Sequence, residues 1–308
     1  MCNVGSDLMA PPAADGGQAG AAATWLEPAL CATPELLDRT RRHDAWLARV
    51  AERQRALSPY PTSVPHMRNV PAETFLDLFY AAGRPLVLEG IAADWPATQR
   101  WSPENLASMI GDAEVTYQGG RNDAADFELA KDRHIRTMPF DRFIAAAARN
   151  DSGNDAYITA YNSAANQQAF APLMNDLGQL PYLDGGDGML WIGPEGTFTP
   201  LHHDLTNNLL VQIVGRKQLH LIAPHDTDKL SNRQHVFSDV HDIEDPDCLA
   251  RFPLAGAASS IVIDLEPGDA LYIPAGWWHQ VRSLSFSVML TYTNFLWAND
   301  AYTDYPGN

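Results

Sequence analysis

His202, Asp204 and His279 are the residues whose types and order in this chain could do chemistry. In an extended strand successive side chains point to opposite faces, so His202 and Asp204 share one face and His203 takes the other. An imidazole and a carboxylate converging from one strand lack one ligand for a three-residue metal site. His279, in the stretch GDALYIPAGWWH, is the candidate for it. Two histidines and one carboxylate on one side of a metal leave the opposite positions open. That arrangement suits non-haem Fe(II), which has to bind a cosubstrate and oxygen together.

A lone His-x-Asp pair is weak evidence, since most such pairs lie at the surface or satisfy one another. Here the pair sits in an apolar, β-rich stretch, residues 190–217, where an unpaired carboxylate would be costly to bury. His279 follows a Pro267-Gly268-Asp269 turn and a short apolar strand ending at Pro274. Lys217 stands just past a Gly215-Arg216 corner after a strand at 209–214. A cation there could hold the far carboxylate of a dicarboxylate whose other end chelates the metal.

The motifs Gly-Thr-Phe-Thr-Pro-Leu-His-His-Asp (196–204), Asn208, Gln212, Gly215-Arg216-Lys217, Glu266-Pro267-Gly268-Asp269, Ile273-Pro274 and Trp277-Trp278-His279 occur in this order. Together they resemble the JmjC branch of the cupin-fold, 2-oxoglutarate-dependent oxygenases. Within it the chain is most similar to protein hydroxylases, the asparaginyl hydroxylase of hypoxia-inducible factor and the JmjC arginyl hydroxylases. The likeness covers roughly residues 60–296 and implies a mainly β fold, a double-stranded β-helix (cupin or jelly roll) decorated by N-terminal helices. It further implies Fe(II), 2-oxoglutarate and O2 as cofactors, with iron on His202, Asp204 and His279. Lys217, Thr199 and Tyr157 would serve the far carboxylate of 2-oxoglutarate, with Asn208 and Asn294 lining the pocket near metal and cosubstrate. For three of these a plainer reading stands beside the implied one: a core tyrosine for Tyr157, a turn residue for Asn208, a polar strand end for Asn294. Thr159 stands where the protein hydroxylases often carry a glutamine, which leaves the substrate open. The implied reaction is hydroxylation of a peptidyl side-chain carbon, with succinate and CO2 released. A small-molecule natural product or a ribosomal peptide precursor is the alternative substrate, and a non-catalytic cupin binding module the alternative function.

Upstream, residues 1–23 are Ala/Gly/Pro-rich and read as disordered. Thr33-Pro34-Glu35 opens a predicted helix running to about residue 57, which either covers the domain or pairs two copies as a homodimer. The expected divisions are 1–23, a helix with its connector over 24–60, and an oxygenase domain over 61–308. Helices are expected at 72–82, 102–111 and 138–148, strands at 84–90, 114–117 and 156–160, and a polar loop over 119–133. Downstream, a strand at 218–222 leads to an acidic insertion, 227–254, which reads as a solvated loop rather than a second metal site. Three further strands are expected at 261–265, 270–273 and 286–295.

The formal net charge of −17 argues against nucleic-acid binding through phosphate contacts and, weakly, for a basic peptide partner. Asp239 and Asp247 in the acidic insertion are the residues expected at its rim. Cys2, Cys31 and Cys248 form no zinc or disulfide pattern, and no stretch suits a membrane span or secretory signal, so the expected location is cytoplasmic.

Overall fold

The computed structural model describes residues 34–57, 63–122, 127–151, 153–159 and 163–305. The segment expected to be disordered and the Thr33 cap lie outside them. Two units divide the chain, Met1–Val50 and Ala51–Asn308. A helix, Pro34–Ala56, starts in the first and ends in the second, and its Trp46 and Leu47 side chains are exposed. Among the described residues no helix is long and apolar enough to cross a membrane.

The second unit is built on two six-stranded sheets. One runs His66–Met67, Leu86–Leu88, Ala270–Ile273, Asn208–Val214, Ser287–Tyr292, Met189–Gly193. The other runs Asn232–Gln234, Phe237–Ser238, Phe198–His203, Trp278–Ser283, Lys217–Ile222, Ser260–Leu265. Most consecutive strands from Met189 onward alternate between the sheets, which is the double-stranded β-helix expected. A separate three-stranded sheet, Ile135–Pro139, Glu114–Gly119 and Ala156–Tyr157, stands beside it.

Alternation along each strand assigns its residues to layers. Leu210, Leu219, Leu221, Leu271, Val281 and Met289 pack between the sheets. Leu209, Val211 and Ile213 belong instead to the larger core with Phe75, Trp95, Phe140 and Phe143 from the N-terminal helices. Covered on both faces, the strand Asn208–Val214 is apolar almost throughout. The helix Pro103–Ile110 shows the local logic: Pro103 at its first position and Ser102 Oγ accepting from Asn105 N at 3.2 Å.

Four expectations need correction. The run 261–295 holds four strands rather than three, because Trp278–Ser283, which carries His279, is itself a strand. The helix expected at 72–82 is a short α-helix, Ala72–Phe75, continued as a π-helix over Leu76–Tyr80. The acidic insertion is a packed cover and not a solvated loop: Leu230, Val240 and Cys248 are buried against Leu201 and Trp278. Those two apolar side chains face out of their sheet and have to be shielded from water. The polar loop over 119–133 is likewise anchored, with Arg121, Phe127 and Glu128 buried.

Gly215 makes the corner between Asn208–Val214 and Lys217–Ile222. It has φ +69°, and a Cβ there would collide with the Phe286 carbonyl oxygen. Gly215→Ala therefore combines a left-handed backbone with overpacking and is expected to cost about 2–4 kcal/mol. Chemical denaturation checks this; a variant as stable as the wild type would contradict the close approach at this corner.

Candidate metal and cosubstrate site

His202 and His279 lie directly opposite one another on neighbouring antiparallel strands, Phe198–His203 and Trp278–Ser283. Their ring centroids are 4.2 Å apart. Asp204 follows the first strand, its carbonyl accepting from Gly276 N at 3.0 Å, so the turn before Trp278 pins it. Its Oδ2 stands 3.7 Å from His279 Nε2. One ligand atom from each of the three lies within 4.8 Å of the others, and no other such cluster exists among the described residues.

The imidazoles are oriented for ligation. His202 Nδ1 faces the Pro200 carbonyl at 2.8 Å and His279 Nδ1 the Trp277 carbonyl at 3.0 Å. A proton on each Nδ1, donated to those carbonyls, leaves each Nε2 lone pair free for a metal. Burial, reinforced by His202, pushes the His279 imidazole down to about 4, so it is neutral at physiological pH. Burial alone would raise Asp204; the His279 and His202 imidazoles and the amide of Asn208, at 3.0 Å, hold it below the usual carboxylate range. Two imidazole nitrogens and one carboxylate oxygen, gathered on one side of a cavity, fit Fe(II). His203 takes the other face, its ring edge-on to Trp278 at 4.7 Å.

A cavity of about 450 Å³ opens over these residues. Deep in it lies Lys217, only 1% exposed, its Nζ donating to Tyr157 Oη at 2.9 Å. Among the described residues no carboxylate pairs with it, and burial pushes its ammonium down to about 7. A buried ammonium without a counter-ion is costly, and a bound carboxylate would remove that cost. Asn208 Oδ1 is also buried and unpartnered. The unmatched Lys217 ammonium fits the far carboxylate of a small dicarboxylate reaching from the histidine pair, whereas Asn208 Oδ1, an acceptor, calls for a donor.

Lys217, Leu219 and Leu221 share the inward face of their strand. Tyr157 comes from the three-stranded sheet, held by the Ile158–Ile192 bridge. Gly193 makes room for it, since a Cβ there would lie 2.7 Å from Tyr157 Cδ2. Thr199 lines the cavity although it stands an odd number of residues from His202. The register against Trp278–Ser283 slips between the pairs His279–His202 and Val281–Thr199, and this bulge brings Thr199 to the inner face.

Asn294 does not join the group. It is not among the cavity-lining residues, and its amide donates to the Gly185 carbonyl, because the chain has left the strand Ser287–Tyr292 and turned away. Thr291 and Thr293 line the wall in its stead. Asp239 and Asp247 are absent from the lining as well; the insertion contributes His235, Val236 and Phe237, with Phe237 stacked on His202 at 5.8 Å. Sequence reading missed Glu128 and Lys131, which line the cavity from the segment taken as a loop. Their one sequence signal is the buried-looking Phe127 beside them.

The chain belongs to the cupin-like domain family, whose profile matches residues 71–299. Its relatives place it in the JmjC-type branch, a class of oxygenases that use Fe(II), 2-oxoglutarate and O2. It is 31% identical over 74% of its length to lysine-specific demethylase JMJ30 of Arabidopsis thaliana, covering 53% of that protein. It is 30% identical over 75% of its length to lysine-specific demethylase 8 of Xenopus tropicalis, covering 52% of it. With human tRNA wybutosine-synthesizing protein 5 it shares 31% identity over 73% of its own length and 75% of the other. The chain thus spans about half the length of the two demethylases.

His202→Ala, Asp204→Ala and His279→Ala should each abolish Fe(II) binding measured anaerobically, while His203→Ala retains it. Loss in His203→Ala with retention in His202→Ala would put the register off by one residue. Lys217→Met should weaken 2-oxoglutarate binding by about 30- to 1000-fold, the worth of roughly 2–4 kcal/mol for a lost charge-assisted bond. In the wild type the anion binds the protonated lysine. Affinity should therefore be highest below about pH 7 and fall as pH rises above it, a trend the variant lacks. The lowered lysine also opposes folding, increasingly as pH falls from about 10.5 to about 7 and by a constant amount below, so ligand-free Lys217→Met should be at least as stable as the wild type. Calorimetry and thermal melts check both; equal 2-oxoglutarate affinity in the two proteins would free the lysine of this role.

Proposed function

We propose that this chain is an Fe(II)- and 2-oxoglutarate-dependent oxygenase that hydroxylates a carbon of a peptidyl side chain. The observation that carries the reading is one cavity with a His-Asp-His cluster at one end and, at the other, a buried lysine that has no carboxylate partner among the described residues. When bound, Fe(II) and 2-oxoglutarate supply the oxidising chemistry, in which O2 and the oxo acid yield succinate, CO2 and one oxygen atom for a substrate C–H bond. In this reading His202, Asp204 and His279 would hold the iron at one end of the cavity. Lys217 fixes the distal carboxylate with Thr199 and Tyr157 beside it, and its charge is matched only once the dicarboxylate is present. Asn208 holds the Asp204 carboxylate in place through its amide. Leu210, Val281 and Met289 give the inner wall an apolar lining that restricts water around the reacting groups.

The substrate proposed is a protein or peptide, presented at the rim formed by His235–Phe237, Thr206 and Thr293. A basic side chain is favoured by the charge of −17. The same charge opposes an RNA substrate of the kind that the name of the human relative suggests. Demethylation, suggested by the names of the two demethylases, would use the same site on an N-methyl carbon. The three cysteines support a cytoplasmic setting.

A peptide-library incubation with Fe(II), 2-oxoglutarate and air, read by mass spectrometry and succinate release, tests this reading. The expected result is a product heavier by one oxygen atom, with succinate formed in step and abolished by Asp204→Ala. Loss of a methyl group from methylated peptides alone would replace hydroxylation by demethylation. Succinate formation stimulated by no peptide, but by a small organic acid or amine, would contradict the peptide substrate.

A further inference from the structure

Arg121 is the most deeply buried guanidinium described in the chain, its side chain having no solvent exposure. Its three nitrogens reach in different directions. Nη1 donates to Gln118 Oε1 at 2.5 Å and pairs with Glu128 Oε1 at 3.2 Å; Nη2 donates to the Phe198 carbonyl at 2.7 Å; Nε has no partner among the described residues. The guanidinium carbon lies 4.3 Å from the Phe127 ring centroid and 5.1 Å from that of Tyr157. An arginine this buried carries a large desolvation cost, only part of which Glu128 offsets, since Lys131 also pairs with Glu128 at 3.2 Å.

The contacts of Arg121 are with the supports of the cosubstrate end of the cavity. The Phe198 carbonyl belongs to the peptide unit that carries Thr199 N, so the bond from Nη2 fixes the backbone from which Thr199 projects. The ring of Tyr157 is held at its face by Arg121 and at its hydroxyl by Lys217. Planar, always charged and multiply donating, a guanidinium can hold a carbonyl and an aromatic face at once, which an ammonium cannot. The cation also adds positive potential behind the place where the distal carboxylate is read as binding, at the low dielectric of a buried site.

We propose that Arg121 is the positioning residue of the cosubstrate site, fixing Thr199 and Tyr157 so that with Lys217 they recognise the distal carboxylate of a 2-oxo dicarboxylate. This rests on the oxygenase reading above, and it assigns to the segment around Arg121 a part in selecting the cosubstrate. It separates that selection from metal binding: Arg121 touches neither His202, Asp204 nor His279. A purely structural arginine would change the affinity of every ligand alike, or of none. A positioning residue changes only that of ligands carrying the distal carboxylate.

The test is calorimetry on Mn(II)-loaded, oxygen-free protein with two probes, 2-oxoglutarate and 2-oxobutyrate, which lacks the distal carboxylate. The wild type should prefer 2-oxoglutarate by about 30-fold or more. Arg121→Lys should cut that preference by about 10-fold through 2-oxoglutarate alone, leaving 2-oxobutyrate and Mn(II) binding unchanged. Gln118→Met, which removes one of the two partners of Nη1 without removing the charge and lies outside the cavity lining, should cut it in the same direction by less. An unchanged preference in a folded Arg121→Lys protein, or an equal fall for both probes, overturns the proposal. So does an unfolded Arg121→Lys protein together with an unchanged preference in Gln118→Met. Equal binding of the two probes by the wild type overturns the cosubstrate reading itself, and the role of Arg121 with it.

Discussion

Antiparallel pairing of Phe198–His203 with Trp278–Ser283 sets His279 opposite His202, and the rest of the site is placed by that register. The period of a strand is two, so a slip of one residue would turn both imidazoles to the outer face and bring His203 inward. The outer face is closed to such a slip. Leu201 and Trp278 are buried there under Leu230, Val240 and Cys248, and exposing them would forfeit several side chains' worth of apolar burial. The acidic insertion thus secures the register from outside, although only its segment His235–Phe237 reaches the cavity.

The second constraint is electrostatic. Within one cavity Asp204 is held ionised by two imidazoles and an amide, while Lys217 is buried with a phenol for its partner. The two ends are complementary to a molecule that brings a chelating group to one and a carboxylate to the other. The protein keeps this unmatched arrangement because the rest of the fold is well packed: the two sheets, the helical layer and the insertion each close an apolar core. Local frustration confined to a cavity is what a binding site is expected to show.

Much of this was legible in the sequence for physical reasons that can be named. His202 and Asp204 follow from alternation, and Lys217 from the glycine corner that starts its strand. Thr199 could not follow from alternation, because the bulge after it inverts the parity. The strand Trp278–Ser283 escaped notice because both its faces are buried, which erases the period-two pattern that marks a half-exposed strand. The insertion was misread because its few apolar residues are spread thinly among acids, and packing depends on where those few land. Arg121 and Glu128 were hidden for a different reason: a charged residue carries no sign in the sequence that it will be buried in a pair. Asn294 was carried by resemblance alone, and the chain's exit from the strand Ser287–Tyr292 takes it elsewhere.

The central claim is that the His-Asp-His cluster and the Lys217 end act as one site for a metal-chelating dicarboxylate. Anaerobic visible spectroscopy of the protein with Fe(II) and 2-oxoglutarate addresses it most directly. The account predicts an absorption band, arising from chelation of the 2-oxo acid by protein-bound iron, that requires both components and vanishes in Asp204→Ala. No band in the wild type with both present and Fe(II) shown to be bound would contradict it.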